Sequence, residues 1–195
     1  SKIYELGIFE KDKAIISNNR IRFGISNNKI IDIIVDEKPN IVGITSMYSI
    51  YFYDVIEIAI LIKKILPKCC VVIGGNHASS YWQYILKNKN IDIIVIGEGE
   101  ETFLELCKGI SLDKIKGIAY SDNGEIKKNQ PRNLIKNLDD IGFPAYHKID
   151  LMKYMEGDNL FCMRLSSLGI ISSRGCPGNC IYCTVKAVWG RSWRG

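Results

Sequence analysis

Three short runs of β-branched residues constrain this chain more than any other feature: Ile41–Thr45 (IVGIT), Cys70–Ile73 (CVVI) and Ile91–Ile96 (IDIIVI). None shows a clean apolar–polar alternation, the pattern of strands covered on both faces. Helical patterns stand between them. Phe52–Leu66 repeats apolar residues at helical spacing and stops at Pro67, while Ser79 or Ser80 is placed to cap SYWQYILKN. Glu100–Lys108 opens with acids that suit a helix N-terminus. Upstream, Ser26 can cap a helix through IIDIIV that ends by Pro39. Three βα units in a row predict an α/β fold, a doubly wound parallel sheet with right-handed crossovers. Ligands of such sheets bind beyond the carboxyl ends of the strands. Those ends carry Ser46 and Met47, then Gly74, Gly75 and His77, then Gly97, Glu98 and Gly99.

After Gly109 the pattern changes. Lys116–Tyr120 and Glu125–Lys128 flank Asn123-Gly124, a strong β-hairpin signal. Residues 130–165 mix polar and apolar positions around Pro131 and Pro144 and read as a connector. Gly169–Ser173 (GIISS) reads as a last strand running into a group of cysteines. The expected layout is an α/β domain with its hairpin over 1–125, a linker over 126–165 and the start of a second domain over 166–195. Only three central strands are clear where a doubly wound domain usually has five. Tyr4–Phe9 and Lys13–Ser17 are weaker candidates, and a preceding strand is expected to lie outside the 195 residues.

Composition narrows the function classes. With 26 basic and 21 acidic residues, and lysines spread rather than clustered, a nucleic-acid face is disfavoured. The longest apolar candidate, Val55–Ile65, is broken by Glu57, Lys63 and Lys64, so no membrane span is expected. The charged N-terminus does not resemble a signal peptide, and a cytoplasmic location is expected. Seven cysteines, an odd number without such a signal, argue against a disulfide scaffold. Cys69, Cys70 and Cys107 read as ordinary interior or helix residues.

The segment SSRGCPGNCIYC spaces Cys176, Cys180 and Cys183 as C-x3-C-x2-C. A tight loop of this kind can place three thiolates on three corners of a cubane iron–sulfur cluster and leave the fourth iron open for chemistry, whereas four-cysteine ligation is usual for electron carriers. Zinc is the competing reading. It prefers four ligands in a structural site, and the nearest spare partners, Cys162 and His147, stand at no standard spacing. Iron–sulfur is the favoured assignment.

SRGCPGNCIYC resembles the cluster motif of the radical S-adenosylmethionine (SAM) family, including Tyr182 before the third cysteine. EKPNIVGIT, VVIGGNHAS, IDIIVIGEGEETFLEL, IKGIAY, LDDIGFPAYH and WGRSWR resemble, in order, the branch with an N-terminal cobalamin-binding domain of flavodoxin-like or Rossmann-like type. That branch includes proteins similar to the anaerobic oxidative cyclase of magnesium-protoporphyrin IX monomethyl ester. The resemblance implies a [4Fe–4S] cluster on Cys176, Cys180 and Cys183, with SAM chelated at the open iron and cleaved by one electron to a radical that abstracts hydrogen from an unactivated carbon. It places Tyr182 near the adenine, and Arg174 and Gly175 in the shape of the cluster loop. It further implies cobalamin at the strand ends, with Ser46, Met47, Gly74, Gly75, His77, Gly97, Glu98 and Gly99 as candidate contacts. The chain lacks D-x-H-x-x-G, so no lower axial histidine is expected from that loop.

Some readings stay open. The acids of GEGEE disfavour a phosphate there and suit ribose hydroxyls or corrin amides, or else only decorate a helix start. His77 is a ligand contact or a loop histidine bonded to backbone. Trp189, Arg191, Trp193 and Arg194 are expected in the first barrel helix and its packing. A βα barrel cannot be built from about 30 residues. The chain is therefore expected to be an N-terminal piece of a longer enzyme, inactive alone, acting on a small molecule with an electron donor for the cluster. The alternatives are a cofactor-binding module without catalysis and a zinc-stabilised interaction domain.

Overall fold

The computed structural model describes residues 2, 14–17, 20–150, 152 and 170–195. Two compact units are formed, one from residues 1–33 and 139–172, the other from residues 34–138 and 173–195. In the first, β1 (Ala14–Ser17) and β2 (Arg20–Phe23) form an antiparallel hairpin. Lys13–Ser17 thus contains a strand, paired with Arg20–Phe23 rather than joined to the parallel sheet; Tyr4–Phe9 lies outside the described residues. Helix α1 (Asn27–Glu37) begins as expected at Ser26, whose hydroxyl accepts the Lys29 N–H at 3.3 Å.

The second unit is a five-stranded sheet in the order β3 (Ile41–Thr45), β4 (Cys70–Gly74), β5 (Ile93–Val95), β6 (Ile118–Asp122) and β7 (Glu125–Lys128). β3, β4 and β5 are parallel; β6 runs antiparallel to β5 and turns through Asn123-Gly124 into β7. The hairpin therefore extends the sheet, and four of its five strands point the same way. Period-two alternation sorts the apolar residues onto two faces. Val72, Ile93, Val95, Ile118 and Tyr120 form one core with Leu106 and Phe103 of α4 (Glu100–Cys107). Val71, Ile73, Ile94 and Ala119 point the other way and are fully buried. α3 (Asn76–Ile85) packs on β4 and β5, and right-handed crossover puts α2 (Phe52–Ile65) beside it, burying Val55, Ala59 and Ile62. Both faces are covered, which is why the strands read as unbroken apolar runs.

At the amino end of the sheet, Lys63 Nζ donates to the Cys69 carbonyl at 2.8 Å and to Asp92 Oδ1 at 2.9 Å, while the Val71 N–H donates to Asp92 Oδ2 at 2.6 Å. This arrangement joins α2, β4 and the approach to β5. Burial raises the Cys70 thiol pKa to about 11, with Asp92 adding to the effect, so this cysteine is an inert core residue. No helix among the described residues is long and apolar enough to cross a membrane.

Two regions depart from expectation. α3 starts at Asn76 rather than at a Ser79 or Ser80 cap, because Gly75 has already turned the chain and Ser79 is needed elsewhere. The expected strand Gly169–Ser173 is absent over its described part: Ile170–Ser173 is irregular, and pairing is confined to an isolated antiparallel bridge between Arg174 and Arg194. A β-branched run forms a strand only where a neighbouring edge offers it backbone partners.

Truncating a core side chain should separate this sheet from its edge. Ile73→Ala or Ile94→Ala is expected to cost ~2–5 kcal/mol in denaturant unfolding. Ile126→Ala, on the exposed edge strand, should remain within ~0.5 kcal/mol of the parent.

Candidate functional site

The carboxyl ends of β3, β4 and β5 lie side by side, so the candidate residues at their tips are neighbours. The Ser46 N–H donates to the Gly74 carbonyl at 2.8 Å, and the His77 N–H donates to the Ser46 carbonyl at 3.1 Å. Gly75 makes this crossing possible. Its φ of +101° is a conformation L side chains rarely adopt, and a Cβ there would lie 2.7 Å from the Ser46 oxygen. Ser79 Oγ, one turn into α3, accepts the Gly97 N–H at 3.0 Å and joins the β5 tip to the same cluster.

Among the described residues, several polar atoms at these tips have no partner. Ser46 is 2% exposed and its hydroxyl makes no hydrogen bond; His77 Nε2 and Ser80 Oγ are likewise buried and unpartnered. His77 lies in the first turn of α3, with Nδ1 2.8 Å from Ser49 Oγ and its ring against Phe52 and Tyr81, centroids 4.6 and 5.0 Å away. It is therefore neither a loop residue nor bonded to backbone through its ring. Burial lowers its pKa from the ordinary 6.5, which favours neutral imidazole. Met47 is partly exposed beside Gly75, at the start of an exposed apolar stretch including Tyr48, Ile50 and Tyr51.

Glu98 is held differently. Its side chain is 3% exposed, and both oxygens accept donors from this chain: Arg174 Nη1 at 3.2 Å, Arg194 Nη1 at 2.9 Å and the Ile135 N–H at 2.8 Å. Glu100 takes Arg174 Nη2 at 2.5 Å. Arg132 donates to Thr102 Oγ1 at 2.8 Å, to Glu101 at 3.0 Å and to Glu105. The acids of GEGEE are thus matched by arginines rather than held for a ligand, and the carboxylate of Glu98 is already engaged. Burial opposes the Arg174 charge, yet hydrogen bonds and proximity to Glu100 and Glu98 raise its pKa.

The cysteines sit on a loop closed at its base. Arg174 and Arg194 exchange both backbone hydrogen bonds, at 2.7 and 2.8 Å, and the Cys176 N–H reaches the Gly190 carbonyl at 3.3 Å. Gly175 has φ +85°, and a Cβ would overlap the Ser192 carbonyl oxygen. Cys176 and Cys180 are exposed, Cys183 is half-buried, and all three are free thiols. Gly178 brings two of the sulfurs to one side: a Cβ there would stand 3.4 Å from Cys176 Sγ and 3.8 Å from Cys180 Sγ. Among the described residues no three His, Cys, Asp or Glu side chains converge as a metal-holding group. Tyr182 is exposed on the same loop. The residues expected in a barrel helix instead follow a single turn, α5 (Val185–Val188), which packs with α3; Arg194 turns inward to the Trp189 carbonyl and to Glu98. Cys162 lies outside the described residues.

The strand ends lie in a segment with sequence relatives. Residues 18–107 match the B12 binding domain. An uncharacterized methyltransferase of Pyrococcus horikoshii is 37% identical over 171 residues, covering 85% of this chain and 36% of the relative. The anaerobic magnesium-protoporphyrin IX monomethyl ester cyclase of Synechocystis is 32% identical over 157 residues, covering 78% of this chain and 29% of the relative. The chain thus spans about a third of the length of these curated relatives. The solved structure of OxsB, a cobalamin-dependent S-adenosylmethionine radical enzyme with aqua-cobalamin bound, superposes with a TM-score of 0.67 at 25% identity, covering 87% of this chain and 23% of that one.

Ser49, Ser79, Arg132 and Arg194 were not read as site residues from sequence. The available signal was the run of acids in GEGEE, which needs countercharge from somewhere in the chain. Gly175→Ala is expected to open the base of the loop, and trypsin should then cut at Lys186 and Arg191 faster than in the parent, with the sheet intact. For His77, the depressed folded pKa sets the sign: below pH ~6.5 the unfolded chain binds a proton that the folded chain resists, so stability falls as the pH is lowered. His77→Phe should lose less stability on acidification, as measured by denaturant unfolding at stepped pH.

Proposed function

We propose that this chain supplies the cobalamin-binding site and the cluster-ligating loop of a radical SAM enzyme that transfers methyl groups to an unactivated carbon of a small molecule. The observation that carries this reading is the unpartnered Ser46 hydroxyl at the crossing of β3 and β4, in a segment that matches the B12 binding domain. A cofactor rimmed with amides fits that site. It would offer hydrogen-bond partners to Ser46 Oγ, Ser80 Oγ and His77 Nε2, and Gly74 and Gly75 allow it close to the backbone. Met47 would add an apolar contact, and the Gly97 and Gly99 backbones would border the site. The engaged Glu98 carboxylate is left out of this contact set.

Cys176, Cys180 and Cys183 fit a cluster by donor chemistry: three unpaired thiols on one short loop, accessible for loading and held at its base by Arg174 and Arg194. When bound, the cluster and SAM would supply a radical for hydrogen abstraction and cobalamin would supply the methyl group. The chain's own residues bind and orient. Gly175 lets the loop fold back on Ser192, Tyr182 would lie near the adenine, and the neutral imidazole of His77 can accept or donate a hydrogen bond without bringing charge. An electron donor for the cluster, the absence of a nucleic-acid partner and a cytoplasmic location belong to the same reading. Oxidative cyclisation is the second reading, favoured by the 32% identity to the Synechocystis cyclase.

Two measurements test the proposal. Titration with hydroxocobalamin, followed by absorbance, should saturate at one equivalent, and Ser46→Ala should weaken binding several-fold through loss of one hydrogen bond. Anaerobic reconstitution with iron and sulfide should load iron on the cysteine loop, and Cys176→Ser, Cys180→Ser or Cys183→Ser should abolish loading. Zinc bound in place of iron under these conditions would overturn the cluster assignment.

A further inference from the structure

Glu98 carries a buried charge for which the proposed chemistry has no use. It stands at the turn from β5 into α4, immediately after Gly97, whose N–H is held by Ser79 from the strand-end cluster. Its two oxygens are approached by guanidinium groups 76 and 96 residues away in sequence. These arginines are the two residues that close the cysteine loop, and Arg174 lies two positions before Cys176. Arg194 is 8% exposed and also bonds the Ile135 carbonyl at 2.5 Å and the Trp189 carbonyl at 3.0 Å, so its guanidinium links the loop to the segment following the hairpin. Among the described residues the cysteines themselves have only local backbone ties, the Cys183 N–H to the Cys180 carbonyl at 3.2 Å and the Cys176 N–H to the Gly190 carbonyl.

We infer that Glu98 is a positioning residue for the cysteine loop: through Arg174 and Arg194 its carboxylate fixes the base of the loop against the β5–α4 turn and so sets where the three thiols are presented relative to the strand-end site. This rests on the reading of those cysteines as metal ligands. β5 and α4 are joined by their own apolar core, including Ile93, Val95 and Leu106. Loss of the carboxylate therefore releases the loop and leaves the sheet in place. A glutamine at position 98 would keep one acceptor for the Ile135 N–H, but it would turn an amide donor toward guanidinium groups that can only donate.

The test uses the reduced 195-residue chain and two readouts. Amide exchange at Arg174, Cys176 and Arg194 reports the base of the loop, with Val72, Ile73 and Ile94 as sheet controls. Titration with Co2+ alone, followed through thiolate-to-cobalt charge-transfer absorption, reports presentation of the thiols. Glu98→Gln is expected to speed exchange at the three loop amides about tenfold or more, leave the sheet amides unchanged and weaken Co2+ binding about tenfold. Glu98→Asp should recover part of both effects. Arg174→Gln, at a side chain 19% exposed, should reproduce the release and serves if Glu98→Gln does not fold. Unchanged loop exchange and Co2+ affinity in Glu98→Gln, with the parent binding Co2+, would overturn the role of Glu98 alone. Equal loss of protection in β4 and β5 would also overturn it, by making the residue a support of the whole fold. A parent chain without the charge-transfer band would overturn the metal-ligand reading and this inference with it.

Discussion

A carboxylate with 3% side-chain exposure has given up nearly all its water, and it stays charged in a folded chain only where donors replace that water. Glu98 has three: the guanidinium groups of Arg174 and Arg194 and the backbone N–H of Ile135. Removing one partner of such a buried pair typically costs ~3–5 kcal/mol, because the remaining charge is stranded. The contrast within this chain is Lys127 with Asp122 on the edge hairpin, both side chains more than two-fifths exposed, where water screens the charges and the pair adds little. By that difference Glu98, rather than any surface pair, holds the last segment of the chain to the sheet. Together with the packing of α5 on α3, the arrangement explains why residues 173–195 form one compact unit with residues 34–138 although most of them lack regular secondary structure.

The sheet was legible in the sequence because burial on both faces leaves a plain trace. IVGIT, CVVI and IDIIVI mark three strands, and Asn123-Gly124 marks the turn that adds two more. Legibility ended where structure depends on long-range partners. GIISS has the composition of a strand and only an irregular path over its described part, since strand propensity cannot supply an edge to pair with. Ser79 looks like a helix cap, a local role, but its hydroxyl holds the Gly97 N–H 18 residues on. The arginines were hardest to read. Their carboxylate partners lie 27 to 96 residues away, so no helical or cross-strand spacing points to them. The acids of GEGEE were visible and disfavoured a phosphate in that loop; what the sequence did not reveal was that the countercharge came from the chain itself.

That pairing divides the strand ends into two kinds. At the tip of β5 and the start of α4, Glu98, Glu100, Glu101 and Glu105 face Arg132, Arg174 and Arg194, and the positive end of the helix is already met by its own acids. An anionic ligand there would have to displace an existing carboxylate. At the tips of β3 and β4 the opposite holds: among the described residues Ser46, His77 and Ser80 keep buried polar atoms without partners. An unpaired buried hydroxyl costs ~1–3 kcal/mol unless something bonds to it. The fold thus anchors the cysteine loop through β5 and leaves unmet hydrogen-bonding capacity at β3 and β4. A neutral, amide-rich ligand laid over the β3–β4 crossing gains the most from that asymmetry, and it would leave the β5 turn free to hold the cysteines beside it.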